Sequence, residues 1–151
     1  MKNDTFTSTV DTIASECLAV RVRLLNRTVT NIFDDALRPL RVKVSQLNVL
    51  MVVAKRGPIS PGDVAKWLNM EKSTLSRNVD RMRAHGWLKV SHGGTGRQQI
   101  LEIGPAGRKL IQESLPLWKK AQAETEAMFG KQGVRSIRRA VDSVRAQLGR
   151  K

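Results

Sequence analysis

Apolar residues recur at steps of three to five from Val10 to Ala36, at Ile13, Cys17, Val20, Leu24, Val29 and Ile32, and this spacing predicts one amphipathic helix. Pro39 ends it, and Ser45 stands where an N-cap would open a second helix through Leu47, Leu50, Met51 and Ala54, closed by Gly57-Pro58. Ser60-Pro61 pairs a capping hydroxyl with a proline at the first helical position, where its missing N–H costs nothing, and Val64, Ala65 and Leu68 supply the buried face of a short helix. After the turn Asn69-Met70-Glu71-Lys72 comes another helix, from about Ser73 to His85, with Leu75, Val79 and Met82 on one side and Gly86 as its stop. Two short helices joined by a tight turn make a helix-turn-helix candidate.

Trp87 to His92 and Arg97 to Ile103 alternate in polarity around the turn Gly93-Gly94-Thr95-Gly96 and read as a hairpin, which beside a helix-turn-helix is a wing. Gly104-Pro105 opens a long helix carrying Leu110, Ile111, Leu115, Trp118 and Ala121, and Pro116 is expected to kink it. Beyond Gly130 and Gly133 a last helix sets Val134, Ile137, Val141, Val144 and Leu148 at steps of three and four, a coiled-coil-like seam. Such a stripe, in a chain whose first helix is equally striped, needs a covering surface, and a second copy is the simplest supplier.

Charge sharpens the picture. The 151 residues hold 27 Lys and Arg against 13 Asp and Glu, a formal net charge of +14. A partner rich in negative charge is implied, nucleic acid first, because displacing counterions from phosphates gives a basic surface its affinity. From Lys72 to Arg108 seven basic residues face two acidic ones, a balance of +5; from Lys131 to Lys151 seven face one, a balance of +6. The second cluster lies outside the expected reading head, and a solvated face is its plainer reading. No apolar run approaches the roughly 20 residues of a membrane span. The N-terminus lacks the apolar block of a signal peptide, and with a single cysteine, Cys17, a reducing cytoplasm is the expected setting.

The order and spacing of several short words carry a resemblance: Ser45-Gln46-Leu47-Asn48-Val49-Leu50, Gly57-Pro58-Ile59-Ser60, Val64-Ala65-Lys66-Trp67-Leu68, the run Glu71 to Met82, Gly86-Trp87-Leu88, and Leu101 to Leu110. Over nearly half the chain they resemble the MarR family of winged-helix transcriptional regulators. The resemblance implies a mainly α (α+β) homodimer. Residues 1–44 would hold the N-terminal dimerisation helix and linker, 45–104 the winged helix-turn-helix, and 105–151 the C-terminal dimerisation helices. It also implies a pseudo-palindromic operator, repression, and relief by a small anionic or aromatic effector. Trp67, Trp87 and Trp118 are candidates to line an effector pocket, with the core as their plainer place. The chain departs from the family twice: Thr95 stands where the wing usually has an aspartate that steadies the arginine, here Arg97, and Gly104 replaces the threonine that opens the next helix.

With Leu75, Val79 and Met82 facing inward, helical geometry puts Ser73, Thr74, Ser76, Arg77 and Arg81 on other faces, where they form a candidate reading head for double-stranded DNA. Arg77 can make a bidentate bond to guanine, and the hydroxyls can reach a base or a phosphate; Ser73 is equally suited to an N-cap. Asn78 suits adenine or a structural bond. Lys89 and Arg97 are the candidate wing contacts, Arg97 in a narrow minor groove.

Cys17 on the apolar stripe reads first as a small hydrophobe and second as a thiol-based redox sensor with Arg21 one turn away. His85 and His92 are the only histidines, no metal-ligand spacing occurs, and the glycine turn lacks the Lys-Ser/Thr of a phosphate loop, so no enzyme activity, metal or cofactor is expected. The rival functions are non-specific or architectural nucleic-acid binding by charge alone, and an interaction module that has lost DNA binding.

Overall fold

The computed structural model describes residues 2–93 and 98–149, with side chains from residue 4 onward. The expected first helix is two: α1 (Lys2–Glu16) and α2 (Leu18–Leu37), separated at Cys17, whose backbone is extended with ψ 107°. Neither glycine nor proline marks this break. The hydroxyls of Thr9, Thr12 and Ser15 bond back to carbonyls three or four residues earlier in α1, a competition for helical acceptors that periodicity does not register. A 3₁₀ turn (Arg38–Leu40), closed by Arg41 in the left-handed region, leads into α3 (Val44–Arg56).

Ser45 is not the cap of α3. The helix starts one residue earlier, with Lys43 in the capping position and its N–H donated to Gln46 Oε1 at 3.0 Å. Asp34 of α2 accepts the Val44 N–H at 2.8 Å and pairs with Lys43 at 3.2 Å, fastening the start of α3 to the preceding helix. In α4 (Pro61–Leu68) the expected cap is present: Ser60 Oγ accepts the Asp63 N–H at 3.1 Å. Asn69, left-handed at φ 48°, turns the chain into α5 (Lys72–Ala84), and Gly86 at φ 69° releases it.

The wing strands β1 (Leu88–Gly93) and β2 (Gln98–Ile103) are antiparallel, in register from Leu88 opposite Ile103 to Gly93 opposite Gln98. Ile59, between α3 and α4, exchanges two backbone hydrogen bonds with Leu101, tying the wing to the helical lobe. The core runs through α3 (Leu47, Val49, Leu50, Val53) and collects Leu37, Val64, Leu75, Val79, Met82, Leu88, Leu101 and Leu110. The architecture is thus mainly α with one small sheet, a winged helix-turn-helix with long flanking helices.

The last helix, α6 (Pro105–Leu148), keeps helical dihedrals through Pro116; its interruption falls at Gly130, φ 66° and ψ 167°. An ion pair between Glu126 and Arg138, 3.6 Å, spans that bend and folds the arm 131–148 back. At the other end α6 presses on the turn after α5. A Cβ on Gly104 would lie 2.3 Å from the Gly86 carbonyl oxygen, and one on Gly107 2.2 Å from that of Trp87. This contact gives the glycine at 104 its physical reason.

Two of the three tryptophans lie outside the core, and Trp87 packs against its edge. Trp67 is 44% exposed and Trp118 38%, while Trp87 is half-buried, stacked on His85 at 4.6 Å. Trp118 leans on Phe33 of α2, ring centroids 6.4 Å apart. Phe6, Val10, Ile13, Leu18, Val20 and Leu24 on α1 and α2, and Ile137, Val141, Val144 and Leu148 on the arm, are exposed.

Candidate nucleic-acid interface

Helix α5 divides its residues sharply. Leu75, Val79 and Met82 are 1%, 5% and 0% exposed, sealed against the core, so the helix cannot rotate without tearing them out. That lock turns Lys72, Ser73, Thr74, Ser76, Arg77 and Arg81 to solvent, with Asn78 half-buried at the margin. Glu71, not Ser73, occupies the capping position. Among the described residues the side chains of Ser73, Thr74, Ser76, Arg77 and Arg81 have no protein partner, so their donors are open to an incoming ligand. The one acidic side chain on this face, Asp80, sits 4.0 Å from Arg83.

Beside α5, a cleft of about 310 Å³ runs between Pro61 and Gly62 at the start of α4, Ser76 and Asp80, and Gln99 of β2. It lies between α4, α5 and the wing strand β2. Lys89 is exposed on β1 but lies opposite Glu102 in the strand register, which partly offsets its charge. Arg97 and Thr95, with the turn that carries them, lie outside the described residues.

Cys17 is half-buried at the break between α1 and α2, not within a continuous stripe, and Arg21 donates its backbone N–H to the Cys17 carbonyl at 3.4 Å. Among the described residues no three His, Cys, Asp or Glu side chains gather into a metal-binding group, and no helix is long and apolar enough to cross a membrane.

A buried-faced helix with a polar outer side, held against a shorter helix and flanked by a hairpin, defines a winged helix-turn-helix protein. Residues 42–98 match the family model described as MarR family. Over that segment the chain is similar to the MarR family of winged-helix transcriptional regulators. Over 103 residues it is 24% identical to the uncharacterized HTH-type transcriptional regulator YwoH of Bacillus subtilis, an alignment spanning 68% of this chain and 75% of that protein. The crystal structure of the M. tuberculosis transcriptional regulator MosR in complex with DNA superposes with a TM-score of 0.73 at 29% identity, covering 87% of this chain and 98% of that one. BpsR of Bordetella bronchiseptica, whose DNA binding is regulated by 6-hydroxynicotinic acid, superposes with a TM-score of 0.75 at 22% identity, covering 86% and 95%.

Proposed function

We propose that this regulator is a homodimeric, sequence-specific repressor that places α5 of each subunit in successive major grooves of a pseudo-palindromic operator, half-sites about 10 bp apart or a multiple of that. The observation that carries the reading is the unpartnered polar face of α5, whose orientation is imposed by Leu75, Val79 and Met82. Arg77 reads guanine through a bidentate bond, and Ser73, Thr74, Ser76 and Arg81 divide between base edges and phosphates. Lys89 contacts phosphate, and Arg97 enters the minor groove beside it.

Residues 1–44 and 105–151 form the dimerisation layer around the reading domain 45–104. The exposed apolar seams of α1, α2 and the C-terminal arm support this, since a second copy would cover both. A small anionic or aromatic effector relieves repression, as 6-hydroxynicotinic acid regulates the DNA binding of the structural neighbour BpsR. The cytoplasm is its setting.

Selection of bound duplexes from a random pool at physiological salt tests the reading. It should enrich an inverted repeat with the stated spacing; enrichment of no sequence, with binding that merely falls as salt rises, would favour a non-specific protein held by charge.

A further inference from the structure

The basic cluster that the sequence leaves as a solvated face gains a neighbour in the fold. At about 100° per residue, Lys131, Arg135, Arg138, Arg139 and Arg145 fall within about a third of the circumference of the arm, off the apolar seam of Ile137, Val141, Val144 and Leu148. All five are exposed. Asp142 is the one acidic residue of the arm 131–148, and Arg138 gives part of its charge to Glu126 at 3.6 Å. Among the described residues the other four have no carboxylate partner. The fold-back after Gly130 carries this face to the reading domain: Arg145 lies 5.7 Å from the centroid of the Trp67 ring on α4, and Arg56, at the end of α3, lies 4.0 Å from the same centroid. The indole has no net charge, so it fixes where the two guanidiniums sit without cancelling them. Lys66 beside it is offset in part by Asp63 at 4.0 Å.

Trp67 stands near the end of α4, whose start, Pro61 and Gly62, borders Ser76 of α5 across the cleft described above. The eight residues of α4 are about 12 Å long, roughly the rise of three to four base pairs. A duplex seated on α5 therefore needs only a few more base pairs to reach the guanidiniums at Trp67. We propose that the basic face of the arm, together with Arg56, grips the phosphate backbone of duplex DNA flanking the bases that α5 reads. From Lys131 to Arg145 the row of cations is about 21 Å long. A duplex, with one negative charge per about 1.7 Å of its axis, answers such a row over its whole length, and the counterions it releases supply the affinity. Guanidiniums free of carboxylates also match phosphate oxygens in bidentate geometry. Contacts of this kind carry no sequence information, so the arm strengthens binding to every duplex and leaves the choice of operator to α5. The surface rests on the DNA-binding reading given above and extends it beyond the reading head and the wing.

Equilibrium binding of the full-length chain to a scrambled duplex of about 40 bp, followed from about 50 to about 200 mM salt, tests the surface, since each phosphate contact contributes about 0.9 to the slope of log affinity against log salt. Arg135→Gln combined with Arg139→Gln should lower that slope by about 2 for each subunit on the duplex. Lys119→Gln combined with Lys120→Gln, an equal loss of charge on the exposed side of α6 before the bend, should leave it within about 0.5. An unchanged slope in the arm variant, as a surface kept for an acidic protein would give, or an equal fall in the control, would overturn the proposal. Should the arm variant fail to fold by circular dichroism or lose the wild-type mass in sedimentation, Arg56→Gln on the reading domain takes its place, with a fall of about 1 expected and no fall contradicting the surface. On an operator duplex trimmed to its half-sites, the arm variant and wild type should bind alike; a persisting difference would overturn the flanking position. The ratio of operator to scrambled affinity, measured on the same proteins, separates the two readings. A chain that prefers no sequence but loses slope in the arm variant upholds the surface and removes the sequence-specific reading. One that prefers an operator yet keeps its slope does the reverse.

Discussion

Ser60 and Ser73 look alike in the sequence, each a hydroxyl at the mouth of a helix, and the structure gives them opposite duties. Ser60 accepts the Asp63 N–H and closes the first turn of α4, whereas Ser73 lies one position inside α5, behind Glu71, with its hydroxyl free. Ser60→Ala should therefore cost about 1 kcal/mol in urea unfolding, and Ser73→Ala no more than about 0.5 kcal/mol. Matching losses would show that Ser73 caps after all. The sequence left the two roles of Ser73 level because capping preference is a property of residue type, while the helix start depends on where Asn69 turns the chain. Arg77 and Arg81 were legible for a firmer reason: three buried apolar residues at helical spacing leave them nowhere to point but outward.

The elements with a dense stripe or an unambiguous cap, α4, α5 and the two wing strands, lie within a residue or two of where the sequence puts them. The long helices were harder. The break at Cys17 has neither glycine nor proline, and its apolar neighbours keep the period across it, so a pattern reading sees one helix where there are two. Along α6 Pro116 does not interrupt the helix, whereas the break that the sequence places at Gly130 is there. A proline inside a helix forfeits one hydrogen bond and is carried by the turns around it, whereas Gly130 adopts a φ that side chains rarely take and a ψ no helix has. The contact of the Arg145 guanidinium with the Trp67 ring, 5.7 Å to the centroid, was invisible for a related reason: the two residues are far apart in the chain, and only the fold-back after Gly130 brings Arg145 to α4.

The packing of α6 on the α5–β1 turn makes its own prediction. Gly107→Ala forces a methyl onto the Trp87 carbonyl and should destabilise the chain by about 1–3 kcal/mol, seen as a lowered urea midpoint with unchanged slope. An unmoved midpoint would mean the helix start can shift freely.

For the whole molecule, charge and apolar exposure divide the work. In the proposed reading the basic balance supplies affinity for any duplex, and a second copy covering the exposed seams of α1, α2 and the arm sets the half-site spacing. A glutamate in the arm's seam, Val141→Glu, should leave the reading domain folded while shifting sedimentation equilibrium toward the monomer and weakening operator binding at least about tenfold, since one half-site is lost. A monomeric wild type, or a variant that dimerises and binds as before, would place the subunit contact elsewhere. Composition points to an anionic partner, but not to whether sequence is read, because that depends on which side of one helix faces out.

The central claim is that α5 reads bases, and the most direct measurement is the ratio of affinities for a selected operator and a scrambled duplex at one physiological salt concentration, in wild type and in Arg77→Ala. Loss of one bidentate base contact in each half-site should cost about 1–3 kcal/mol of discrimination per subunit, collapsing the ratio by roughly thirtyfold or more while scrambled-duplex affinity falls only slightly. A ratio that survives the substitution unchanged would contradict the claim.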